Sequence, residues 1–290
     1  GRVNQRNKHP KPMKIQAFIL APMILAVAPL PAQEAQELVR DVTVKCTECV
    51  QRIVPILETV HDKASADAAA TEELRTLVIV TRMMSAPLFT LLNGGVRIKK
   101  VLTGEQAKEY KTATRALVDV AGRLEENKYY GSTDLASALP QDLDTPHPPM
   151  PASAAPEQDA ALCAYFRKLQ DATLRRITKT PSLRADIAWE IGYYEKTHTF
   201  PTDMLTEEYQ GIIQEIRASE DVLRAGLSQL LEEASAGKAD DSEINKRHAL
   251  LTAAHRLRLG GILLAHPHFT VLQDYVLRTG KTEIDPALAE

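Results

Sequence analysis

From Glu34 onward, apolar residues recur along the chain at spacings of three and four, the period of an α-helix buried on one face. A first helix is expected over about Glu34–His61, bent at Pro55, whose ring removes a hydrogen-bond donor and crowds the preceding turn. A second is expected over Thr71–Leu92, with Leu74, Leu77, Val78, Thr81, Met84, Leu88 and Leu91 on one face and a stop at Asn93-Gly94-Gly95. Thr103 followed by Gln106 reads as a capping box that opens a third helix, which buries Tyr110, Ala113, Leu117, Val120 and Leu124 and fades near Tyr130-Gly131.

The pattern then breaks. Six of the 17 prolines fall between Pro140 and Pro156, a composition that favours an extended, semi-rigid segment. Beyond it helices resume, over about Glu157–Thr178 and Ser182–His198. Another runs from Thr206 to Ser235 and closes at Gly237, and the next is opened by Asp240 with Glu243 and ends before Pro267. A short last helix covers about Thr270–Arg278. Alternation of the β type is nearly absent. The expected fold is therefore all-α: two antiparallel helical bundles, 33–139 and 157–279, joined by a Pro-rich linker at 140–156. A tail at 280–290 is expected to be flexible.

The N-terminal end has a different character. Met13–Ala32 reads MKIQAFILAPMILAVAPLPA, a basic start, a short apolar stretch and a small-residue exit, the layout of a signal peptide cleaved before Gln33. The stretch is shorter than the roughly 20 residues a spanning helix needs, and three prolines interrupt it. Residues 1–32 are thus expected to be a signal peptide with an upstream extension, and the protein to be exported, periplasmic or extracellular. No later apolar run is long enough to span a membrane.

Composition changes this picture little. At 44% apolar and 25% charged residues the chain can build an ordinary packed core. Without residues 1–32 it carries 30 basic and 38 acidic residues, a net charge of −8. That balance, without basic clusters, disfavours nucleic acid as a partner.

Candidate chemistry is sparse. Cys46-Thr47-Glu48-Cys49, read as lying near a helix start, suggests either a redox pair or a structural disulfide, within the motif or to Cys163. Val50 after Cys49 excludes covalent haem attachment, and no preceding strand supplies a thioredoxin-like context. Glu58 with His61 and Glu195 with His198 are two Glu-x-x-His pairs, the kind with which helical bundles hold two metal ions; Glu109 and either Glu208 or Glu215 are the candidate further carboxylates. His248, His255, His266 and His268 are more simply read as the edge of an apolar stripe and the flanks of a helix stop than as metal ligands. Trp189, Glu190, Tyr193 and Tyr194 belong to an aromatic run over 165–209 that makes either a local core or a ligand pocket.

No phosphate-binding glycine loop, zinc-protease motif, nucleophile elbow or calcium loop is present. No cofactor is implied beyond the metal that the Glu-x-x-His pairs would hold. The expectation is a non-catalytic binding or scaffold module of the cell envelope, acting on an unidentified protein or envelope component. The competing readings are a di-metal helical protein and a thiol–disulfide protein.

Overall fold

A computed structural model describes residues 32–93, 101–139, 149–174 and 182–280. All regular structure among these residues is helical. The elements are α1 (Ala32–Glu58), α2 (Lys63–Ala69), α3 (Glu72–Asn93), α4 (Gly104–Glu126), a 3-10 turn (Lys128–Gly131), α5 (Thr133–Ala138), α6 (Pro156–Leu174), α7 (Leu183–His198), α8 (Glu207–Ser235), α9 (Asp241–Ala265) and α10 (Pro267–Thr279). The proposed signal peptide, positions 140–148 of the proline-rich segment and the tail after 280 lie outside the described residues.

Local chemistry sets many of the boundaries. The Thr103–Gln106 capping box forms as the spacing predicts: Gln106 N–H donates to Thr103 Oγ1 at 3.2 Å, and Thr103 N–H to Gln106 Oε1 at 3.0 Å. Asp240 caps α9 by accepting from Glu243 N–H at 2.8 Å. Gly237, at φ +69°, lets the chain turn off the end of α8 while Lys238 N–H returns to Glu233 O at 2.9 Å. Pro55 sits in the last turn of α1, which ends at Glu58, three residues before the predicted limit. Beyond it, the Arg123 guanidinium of α4 donates to Leu57 O and Val60 O, satisfying carbonyls the helix end leaves open. Lys128, Tyr129 and Tyr130 all have φ near +50°, a left-handed turn that costs such residues energy; Tyr129 and Tyr130 recover part of it by packing on the core.

α1 packs between α3 and α4. α9 lies against both α3 and α8, and α10 against α3 and α6. One hydrophobic cluster therefore draws on both sides of the proline-rich segment: Leu57, Leu74, Met84 and Leu124 before it, Leu162, Phe166, Ile213 and Phe269 after it. Each such side chain contributes roughly 1.5–3 kcal/mol on burial. A second, smaller cluster joins Ile187 of α7 to Leu223, Leu227 and Leu230 of α8 and Ile244 of α9. Two glycines mark close approaches. A Cβ at Gly260 would lie 3.0 Å from Met84 Sδ of α3, and one at Gly226 would lie 2.7 Å from Leu251 Cδ2 of α9.

Candidate functional site

The first turns of α3, α6, α8 and α10 converge on a cleft of about 460 Å³. Its polar lining is Glu72, Ser153, Asp159, Glu208, Tyr209, His266 and His268; Ile212, Ala265 and Phe269 supply apolar wall. His268 is the hub. Its Nδ1 lies 2.7 Å from Glu72 Oε1, and its Nε2 lies 2.8 Å from Asp159 Oδ2. Tyr209 Oη donates to the other Asp159 oxygen at 2.7 Å. Asp159 is completely buried, and the chain Tyr209–Asp159–His268–Glu72 runs from the interior to a half-exposed carboxylate.

The sequence builds this arrangement by register. Asp159, Leu162 and Phe166 share one face of α6, which places a carboxylate on an otherwise apolar stripe. Tyr209 occupies the equivalent inward position one turn ahead of Ile212 and Ile213 on α8. Pro267 at the first position of α10 starts that helix three residues earlier than its apolar pattern predicts and presents His268 in its first turn. Phe269 beside it is buried against Phe166 and Tyr209, with ring centroids at 5.1 and 6.2 Å.

The electrostatics reflect this geometry. Burial pushes the Asp159 carboxyl up, but bonds from Ser153, Tyr209 and His268 outweigh it and hold the group below the ordinary value of 3.8. Burial pushes His268 down, but its two carboxylate partners raise it above 6.5. Tyr209 is raised by burial and by the Asp159 carboxylate, so it remains a phenol and a donor. Glu72, Asp159 and Glu208 also lie in the first turns of their helices, where negative charge complements the positive end of the helix dipole.

A second polar seam joins α7, α8 and α9, and it takes up the predicted aromatic group. Tyr194 Oη donates to Glu190 Oε1 at 3.2 Å, and His248 Nε2 lies 3.0 Å from Glu190 Oε2. Trp189 and Tyr193 stack, with centroids 5.1 Å apart and planes 17° apart. Tyr194 also meets the ring of His255, which is buried, pushed down to about 4 by burial, and bonded through Nδ1 to Ser219 Oγ at 3.0 Å. Trp189, Glu190, Tyr193 and Tyr194 line neither the cleft around His268 nor a smaller one, about 230 Å³, between α1 and α4.

The two Glu-x-x-His pairs are placed differently from each other. α1 ends at Glu58, so His61 lies beyond the helix and shares no face with it; its Nδ1 turns to Thr59 O at 2.8 Å. His198 ends α7 with its nitrogens 3.2 Å from Glu220 and 3.5 Å from Asp221, while Glu195 faces Arg224 at 3.9 Å. The partners of one pair include none of the other's. Among the described residues no group of three or more His, Cys, Asp or Glu is arranged to hold a metal ion.

Cys46, Cys49 and Cys163 are free, buried thiols. Cys46 and Cys49 lie in the interior of α1 rather than at its start, out of reach of the N-terminal dipole. Burial, then the neighbouring Cys49, pushes Cys46 up to about 12, the opposite of what a reactive thiolate requires. Burial raises Cys49 and Cys163 as well.

Sequence reasoning passed over Glu72 and Asp159 and read His268 only as the flank of a helix stop. The available signals were the acid on an apolar stripe at Asp159 and the His-Pro-His at 266–268. Comparison with protein-family models, with curated proteins and with solved structures finds no match to this chain.

Proposed function

We propose that this chain is an exported, non-catalytic binding module of the cell envelope, which seats a small cationic, donor-rich ligand in the cleft between α3, α6, α8 and α10. The observation that carries the reading is the lining of that cleft. Glu72 and Glu208 offer carboxylates to a ligand's donors, and Ile212 and Phe269 offer apolar wall to its body. Binding is favoured over turnover because the cleft floor is already engaged. Both imidazole nitrogens of His268 and both oxygens of Asp159 have partners, which leaves neither poised as a general base. Export is supported by the Met13–Ala32 pattern. The division into two bundles joined by the proline-rich segment belongs to the same proposal; the separate cluster around Ile187, Leu223 and Ile244 supports it, with the halves joined through the main core where α9 and α10 pack on α3.

Calorimetric titration of the full chain with a panel of primary amines and their matched carboxylates tests this. Saturable amine binding that is weakened about tenfold or more by Glu208→Gln is expected, since one charged hydrogen bond is at stake. Binding confined to carboxylates, or no saturable heat from either series, contradicts it.

A further inference from the structure

We propose that His268 is a pH-operated clasp on this cleft: as an imidazolium it ties the first turn of α3 to α6 and α10, and on losing a proton it lets Glu72 go. A neutral imidazole carries one N–H, yet both ring nitrogens face carboxylate oxygens, at 2.7 and 2.8 Å. Only the doubly protonated ring donates both bonds. Deprotonation sets a nitrogen lone pair against a carboxylate oxygen, and one of the two contacts must break.

The surroundings decide which one. Asp159 is held also by Tyr209 and Ser153 and is completely buried, so releasing it would strand a desolvated charge. The Glu72 side chain is 39% exposed and rehydrates on leaving. The Glu72 bond therefore opens, on the side of the cleft nearest α3.

The other groups lining the cleft preserve this sense. α8 contributes the Tyr209 phenol and the Glu208 carboxylate, residue 266 contributes a second imidazole, and the 149–155 segment contributes Ser153. α6 presents Asp159. On α3, Glu73 is turned to Arg52 at 2.8 Å, and Arg75, whose charge acts on Glu72, donates to Pro149 O at 3.4 Å. Carboxylates outnumber cations in the cleft lining, which favours the charged ring, in keeping with its raised titration. The clasp is thus fully closed below 6.5, the ordinary histidine value, and opens as pH rises through the raised one. At the acid end the bond from His268 to Asp159 persists until that carboxyl, held below 3.8, takes up a proton.

That a released Glu72 becomes available to a ligand rests on the cleft being the binding seat, but the clasp itself is tested in the ligand-free protein, so either idea can fail alone. Hydrogen exchange of the first-turn amides Arg75, Asp159 and Thr270, each bonded to a carbonyl four residues back, is followed from pH 5.5 to 9 and corrected for intrinsic exchange. Protection of Arg75 in the wild type is expected to fall about tenfold across the His268 titration, the weight of one charge-assisted bond. Asp159 should hold its protection. In His268→Gln the step is absent. Should that variant fold poorly, Glu72→Gln decides, because it keeps the Asp159–His268 pair and removes only the releasable partner; the step should vanish there too. A wild-type profile flat over this range, or a step that survives Glu72→Gln, overturns the proposal.

Discussion

A buried carboxylate is stable here only because each of its oxygens has a donor. Asp159 meets that condition, and its removal is costly. Asp159→Ala leaves the His268 imidazolium and the Tyr209 hydroxyl facing a void, and a loss of about 3–5 kcal/mol is expected in urea unfolding at pH 6. Tyr209→Phe deletes one donor to a buried charge and should cost about 1.5–3 kcal/mol. Glu220 is the opposite case. Burial, with Asp221 adding to it, pushes its carboxyl up to about 7 against the pull of Arg217. A group raised in the folded state supports stability below its unfolded value and withdraws that support as pH rises through the folded one. Glu220→Gln should therefore gain on the wild type between pH 5 and 8, by about 1–3 kcal/mol at the upper end, as read by chemical denaturation at each pH. The sequence shows that Asp159 and Glu220 are acids near apolar positions. It does not show their partners, because Tyr209 and His268 reach Asp159 from 50 and 109 residues away.

Helices were the most legible level, because their signals are local. Thr103 with Gln106, Ser182, Thr206 and Asp240 are N-caps in the structure, as their spacing to the apolar runs predicts. α2 and α5 escape the pattern because six or seven residues hold too little of a 3.6-residue period to register. The left-handed turn at Lys128–Tyr130 is signalled only by Gly131, since nothing intrinsic to lysine or tyrosine favours positive φ. Helix contacts add a test at this scale. Gly260 lies inside α9, where α3 comes close enough that a Cβ would press on Met84 and Val80. Gly260→Val should force α3 and α9 apart and lower stability by about 2–3 kcal/mol, measured by thermal unfolding. Gly261, with open space around it, should accept Ala at no cost.

Across the whole molecule, the all-helical class was legible because β alternation was missing throughout. The cleft was not, because it exists only where four helix starts from distant parts of the chain are packed together by the shared core. α9 and α10 bring that core to α3, and no local pattern specifies which helix faces meet. Two tests belong to this scale. Phe269→Ala removes the ring that joins α6, α8 and α10 beneath the cleft and should cost about 3–5 kcal/mol while also raising exchange at Asp159. If Met13–Ala32 directs export, N-terminal sequencing of the exported protein should begin at Gln33; a mature chain retaining Met13 would contradict cleavage there. Among the described residues no helix is long and apolar enough to cross a membrane.

At the meeting point of the four helices, one imidazole holds two carboxylates, and the cleft depends on its charge. Carbon-13 NMR of the histidine rings in the full chain, assigned through His268→Gln and followed from pH 4 to 10, reads that charge directly. A His268 midpoint above 6.5, falling when Glu72 is replaced by Gln, is the predicted result. A midpoint at or below 6.5, unmoved by that substitution, would contradict it.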